Sequence, residues 1–137
     1  MNNFFVLSRD MAERKMFSPN DYVISITDPN SNDACIRGTG NILRVSFYDI
    51  DKRLETNGKF YEPINDSQAY QIVSFVGHAP GESDVYVHCE AGISRSSGVA
   101  AALAKCFIGR EAGEEIFKRY LPNRYVYSKI IEAFMMD

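Results

Sequence analysis

In the stretch His88 to Ser97, HCEAGISRSS, a cysteine and an arginine stand six positions apart with a glycine between them, directly after the apolar run VYV. A thiol and a guanidinium at that spacing can serve one anion together. Gly92 and its small neighbours let successive backbone N–H groups turn toward a common point at the start of a helix, whose dipole adds positive potential. That cradle favours the thiolate of Cys89, a strong nucleophile. The planar fork of Arg95 can hold two phosphoryl oxygens and stabilise charge as the group transfers in line, where a lysine would offer a point charge. Ser96 can donate a hydrogen bond to the sulfur and ease its departure, and His88 can support the loop from behind. Glu90, Ala91, Gly92, Ile93 and Ser94 would bind phosphate through backbone N–H groups while their side chains shape the rim. Taken alone, Cys89 reads as a small core residue at a strand end. Its company, a strand, His-Cys, a glycine turn, an arginine, a serine and a small-residue helix, favours the nucleophile.

Such a loop must be held between a strand and a helix, and the chain supplies both. Phe4 to Leu7 reads as a strand, and Ser8 can cap a helix through Met16 before Ser18-Pro19-Asn20 breaks it. YVISIT, residues 22 to 27, is a second strand closed by Asp28-Pro29, and residues 28 to 40 form a loop. ILRVSFY, 42 to 48, is a third strand, followed by an irregular polar region through Pro63. Asn65 and Asp66 offer caps for a helix whose Ala69, Ile72, Val73 and Val76 recur at helical spacing and which ends near Gly77 to Gly81. Asp84 to His88 is a buried strand leading into the helix GVAAALAKCF, and two more helices, Glu111 to Leu121 and Asn123 to Met135, finish the chain. Strands alternating with helices predict an α/β fold, in which chemistry gathers where strands end and helices begin.

The remaining composition narrows the function classes. A chain of 137 residues fits one domain, and 15 Lys+Arg against 18 Asp+Glu give a net charge of -3, with no broad positive field for nucleic acid or an anionic membrane. Any anion must be captured locally. MNNFFVLSRD lacks a basic n-region, and the apolar-leaning GVAAALAKCFIG is broken by Lys105 and too short to span a bilayer, so a cytoplasmic, soluble protein is expected. Cys35, Cys89 and Cys106 make an odd number with no CxxC pair, so neither a disulfide framework nor a zinc site is expected. No cofactor is implied.

His88-Cys89-Glu90-Ala91-Gly92-Ile93-Ser94-Arg95-Ser96 resembles the HCxxGxxR[ST] signature of cysteine-dependent protein tyrosine and dual-specificity phosphatases, and the short chain is closer to the compact dual-specificity branch. The close match covers roughly residues 85 to 108. The resemblance implies a single domain, residues 1 to 137, with a central, mostly parallel sheet of about four to five strands flanked by helices. It further implies a metal-independent enzyme: cysteine attacks phosphorus, an aspartic acid protonates the leaving oxygen, and water hydrolyses the phosphocysteine. That acid should follow another strand, which points to RVSFYDID. Leu43, Val45 and Phe47 share one face by period two, and Asp49 is next in that register, with Asp51 in reserve. Asp49 and Cys89 stand forty positions apart, more than the resemblance to a compact dual-specificity enzyme implies, an enlargement contributed by DKRLETNGKFYEPI.

The variable loop residues carry no lysine or arginine, so the expected substrate is a singly phosphorylated tyrosine, or serine or threonine, on a protein, and the enzyme is expected to act as a monomer. Two other functions fit the same residues less fully. One is a phosphate-binding module that has lost turnover because the insertion displaces the acid. The other is a Cys-Arg-loop enzyme handling sulfur or arsenate, which would want a resolving cysteine nearby.

Overall fold

The computed structural model describes residues 3–136 as one α/β unit around a four-stranded sheet. In chain order the elements are β1 (Phe4–Leu7), α1 (Arg9–Arg14), β2 (Met16–Phe17), β3 (Asp21–Thr27), β4 (Arg37–Gly38), β5 (Asn41–Ser46), β6 (Leu54–Thr56), β7 (Lys59–Tyr61), α2 (Asp66–Gly77), β8 (Asp84–His88), α3 (Arg95–Phe107), α4 (Arg110–Arg119) and α5 (Arg124–Met136). The main sheet has the order β1-β8-β3-β5, and every neighbouring pair is parallel. β3 and β8 are central, and the near-continuous apolar run of β3 is what a parallel strand covered on both faces requires.

One face of the sheet, through Ile24, Ile26, Val45, Phe47, Val85 and Val87, joins the main core with α2, α3 and α5. α3 lies at its centre, with every residue from Arg95 to Ala104 buried and most of them small. The opposite face is covered by α1 and the segment after it: Ala12 and Phe17 are buried, and Tyr86 stacks on Phe5 and meets Phe17 edge-on. Ser8 caps α1 through its side chain to the Met11 amide, and Asn65 forms a reciprocal capping box with Gln68 at the start of α2.

Several expected elements are corrected. α1 stops at Arg14, because Met16–Phe17 leaves the helix to pair as β2 with β4 inside the segment expected to be loop. β5 ends at Ser46 rather than Tyr48. The region expected to be irregular contains the antiparallel hairpin β6–β7, closed by Asn57-Gly58 with both residues at positive φ, the geometry of a type I′ turn.

Because the four strands run the same way, their carboxyl ends meet at one edge. The register sets Leu7 and Ser25 opposite His88, and Thr27 opposite Ser46. The residues that follow each strand, Ser8-Arg9, Asp28, Phe47 to Asp49 and Cys89, are therefore neighbours in space. This edge is where a parallel sheet collects ligand-binding groups.

Candidate active site

Cys89 leaves the end of β8, and residues 90 to 94 bend through an irregular loop before α3 begins at Arg95. Its side chain is buried. Sγ lies 3.1 Å from Ser96 Oγ and accepts from the Gly92 amide at 3.3 Å, so a hydroxyl and a backbone N–H face the sulfur. Gly92 has φ +73°, and a Cβ there would sit 2.6 Å from the Ser8 amide nitrogen and 2.7 Å from the Leu7 carbonyl carbon. The loop thus packs against the end of β1 so tightly that only glycine fits. Ser97 closes the loop from beneath by donating to the carbonyls of Ile93 and Ser94.

His88 is fully buried between Ser25 and its own loop. Its Nδ1 is 3.1 Å from the Cys89 carbonyl and its Nε2 2.6 Å from Ser25 Oγ. A carbonyl only accepts, so Nδ1 carries the proton. Burial, ahead of the opposing hydrogen bond to the Cys89 carbonyl, pushes its pKa below the usual histidine range and keeps the ring neutral. Nε2 then accepts from Ser25. His88 supports the loop backbone and is not placed as an acid or base.

Arg95 is buried, and its Nη1 donates to Asp28 Oδ1 and to the Phe47 carbonyl, both at 2.7 Å. Both contacts use the same nitrogen, so the Nη2 and Nε edge of the fork is the one available to an anion. Asp28 was legible only as a turn former before proline. Its position just past β3, beside β8, brings its carboxylate to the Arg95 guanidinium.

Asp49 reaches the loop from the other side. Its Oδ1 accepts from Ser94 Oγ at 2.9 Å and from Asn123 Nδ2 at 2.8 Å. Asn123 itself bridges elements: its amide donates to the Ser94 carbonyl, while its side chain accepts from the Val126 amide at the start of α5. Gly98 permits this, since a Cβ on α3 would lie 2.8 Å from the Asn123 carbonyl oxygen. Asn123, where the last helix was expected to begin, is both cap and site neighbour.

The insertion after Asp49 does not separate it from the loop. The hairpin β6–β7 closes back on Tyr48, whose amide donates to the Glu62 carbonyl at 2.9 Å and whose ring meets Tyr61 edge-on. Asp51 is exposed and lines an open cleft with Asp49, Lys52, Ser94, Asn123 and Arg124. No hydrogen bond ties Asp51 to the loop among the described residues. Of the rim residues, Glu90, Ala91 and Ile93 are exposed, and Glu90 pairs with Arg9. Cys35 is exposed in the loop after β3, and Cys106 is half-buried on α3, its thiol pKa pushed up chiefly by burial.

The same architecture occurs in solved structures. A crystal structure of PTPMT1 in complex with PI(5)P matches over 98% of this chain and 91% of its own, with TM-score 0.60 and 18% identity. A further PTPMT1 structure matches with TM-score 0.57 and 17% identity, covering 98% and 90% of the two chains. The chain has the fold of the cysteine-dependent tyrosine phosphatases. Tk-PTP in its active form aligns over 97% of this chain and 88% of its own at TM-score 0.46 and 17% identity. No family model and no curated protein sequence matches. Within this phosphatase fold, no helix among the described residues is long and apolar enough to cross a membrane. Nor is any group of three or more His, Cys, Asp or Glu gathered to hold a metal ion among them.

Proposed function

We propose that the protein is a phosphomonoester hydrolase that works through a phosphocysteine intermediate and acts on phosphotyrosine, and on phosphoserine or phosphothreonine, in proteins. The observation that carries this reading is the contact between Asp49 and Ser94, which joins an aspartate to the Cys89–Arg95 loop in spite of the enlarged connection. The phosphoryl group would rest on the backbone N–H groups of residues 90 to 94 and on the open edge of Arg95. The Cys89 thiolate attacks phosphorus and forms the S–P bond as the P–O bond to the leaving group breaks, and the proton of Asp49 goes to the departing oxygen. Water then attacks the phosphocysteine, giving its proton to the Asp49 carboxylate. The S–P bond breaks with Ser96 hydrogen-bonded to the leaving thiolate, and inorganic phosphate departs. No step calls for a metal. The anchoring of the hairpin on Tyr48 argues against a binding module whose acid has been displaced.

A second reading concerns the substrate. PTPMT1 is seen with PI(5)P, and Lys52 and Arg124 stand in the cleft beside Asp49 and Ser94, so a phosphoinositide headgroup is the competing phosphomonoester. Hydrolysis of a small aryl phosphate, a phosphotyrosine peptide and PI(5)P in vesicles, each with chelator present, separates these readings when wild type is compared with Cys89→Ser, Asp49→Asn and Asp51→Asn. Cys89→Ser should abolish turnover of every substrate. Asp49→Asn should lose about a hundredfold or more with poor leaving groups and less with an activated aryl phosphate. A larger loss in Asp51→Asn would move the acid there, and wild type no faster than Cys89→Ser would end the enzyme reading. Turnover of PI(5)P alone would replace the protein substrate with the lipid.

A further inference from the structure

Arg9 lies outside the Cys89–Arg95 loop, in the first turn of α1, and the reaction above gives it no part. It is nevertheless joined to the loop twice. Its amide donates to the Glu90 carbonyl at 3.0 Å, and its Nη1 donates to Glu90 Oε1 at 3.1 Å. The rest of the guanidinium is occupied too: Nη1 also meets Ser31 Oγ at 3.2 Å, Nη2 the Asp33 carbonyl at 2.9 Å, and Nε Glu13 Oε2 at 3.3 Å. The pair with Glu90 is the first cause that raises the Arg9 pKa above its ordinary value, so the charge is permanent.

Glu90 poses a problem that this contact solves. It follows the nucleophile directly, in a loop that must accept a thiolate and a phosphoryl dianion, and an unpaired carboxylate there opposes both. We infer that Arg9 is a positioning residue for the phosphate loop, neutralising Glu90 and anchoring it so that a loop with an acidic side chain can still take a dianion. The inference rests on the phosphatase reading for the nature of the ligand, though anion binding does not require turnover. Geometry explains why the residue is arginine: a lysine ammonium could not reach acceptors on Glu13, Ser31, Asp33 and Glu90 with separate donors. Ser31 and Asp33 belong to the same segment as Asp28, the partner of Arg95. One guanidinium therefore holds the loop and the segment that aims its arginine.

Two roles are possible for such a contact, charge neutralisation and simple stitching, and they predict different outcomes. Tungstate affinity by calorimetry, with kcat and KM on an aryl phosphate, is measured for wild type, Arg9→Ala, Arg9→Lys, Glu90→Gln and the double variant Arg9→Ala/Glu90→Gln. Arg9→Ala should weaken tungstate binding about three- to tenfold and raise KM more than it lowers kcat, a deficit that shrinks as salt is added. Arg9→Lys should retain most of the affinity. The double variant should return to within about twofold of wild type, because removing the carboxylate removes the need for the cation. Glu90→Gln alone should bind tungstate at least as tightly as wild type, and it decides the matter should Arg9→Ala fail to fold. Wild-type behaviour in Arg9→Ala, no recovery in the double variant, or weaker binding in Glu90→Gln would each overturn the inference. Tungstate binding in the expected pattern by a wild type that hydrolyses no phosphomonoester would remove the phosphatase reading and leave this one standing.

Discussion

Asp28→Ala tests whether Arg95 is aimed from outside its own loop. The perturbation removes one of the two acceptors on Arg95 Nη1 and leaves the Phe47 carbonyl at 2.7 Å in place. Arg95 is 6% exposed, so the lost partner is not simply replaced by bulk solvent. Breaking a fully buried pair costs about 3–5 kcal/mol, and an exposed pair contributes about 1 kcal/mol or less. The Asp28 side chain is 44% exposed, so water can enter where the carboxylate was, and the expected cost falls between these limits at about 1–2 kcal/mol. Denaturant unfolding reads that directly. The catalytic consequence has a sign that separates two roles. If Asp28 were only a counter-charge, removing it would leave Arg95 more positive toward a phosphoryl group, and oxyanions would bind more tightly. If it positions the fork, affinity falls with the loss of geometry, and kcat/KM should drop about tenfold, the equivalent of about 1.4 kcal/mol. Asp28→Asn, which keeps an acceptor oxygen but no charge, should lie between wild type and Asp28→Ala. Tighter tungstate binding in Asp28→Ala, or unchanged kcat/KM, would refute positioning.

Gly92→Ala puts a methyl group 2.6 Å from the Ser8 amide nitrogen at a φ of +73°, so the loop must leave the end of β1; activity should fall at least a hundredfold, and a variant of near-normal rate would contradict the packing described. His88 has a folded pKa below its unfolded value of about 6.5, so the unfolded state takes the proton first and stability is lost as pH falls from about 6.5 toward the folded pKa. The slope from this one group should not exceed about 1.4 kcal/mol per pH unit in urea titrations, and His88→Gln should flatten it. Asn123→Asp keeps an acceptor for the Val126 amide but sets a carboxylate against Asp49, whereas Asn123→Ala loses both contacts. Asn123→Asp should therefore hold most of the stability, about 1 kcal/mol above Asn123→Ala, yet lower kcat for poor leaving groups. Equal kcat in wild type and both variants would leave Asn123 a cap and nothing more.

How far the site was legible depends on whether its signal lay along the chain or across it. Cys89, Gly92, Arg95 and Ser96 fall within one strand-to-helix turn, where a positive φ, a small-residue helix and a fixed spacing all point to the same local geometry. Sequence carries such information because every constraint is only a few residues away. The central strands were legible for a similar reason: YVISIT and DVYVH are apolar runs bounded by turn formers. The hairpin β6–β7 shows the opposite case. Its Asn57-Gly58 turn was the available signal, but in LET and KFY only Tyr61 is even half-buried and there is no apolar alternation, so periodicity gave nothing to read.

The residues that reading along the chain missed share one physical property. Asp28, Arg9 and the second role of Asn123 lie 67, 81 and 74 residues from the groups they hold, and each sits in a first turn or a loop with no hydrophobic period. Their meaning comes from the parallel sheet, which brings the ends of β1, β3, β5 and β8 to one edge whatever lies between them in sequence. Asp49 was found because it continues the register of Val45 and Phe47 past the end of β5, both of which are buried. Asp28 follows Ile26 in the same register on β3. Asp28 thus stands past β3 as Asp49 stands past β5, and Pro29 after it also marks a turn. In a parallel sheet, an acidic residue in core register just beyond a strand should be tested as a site residue even when a turn explains it, because the strand beside it ends at the same edge.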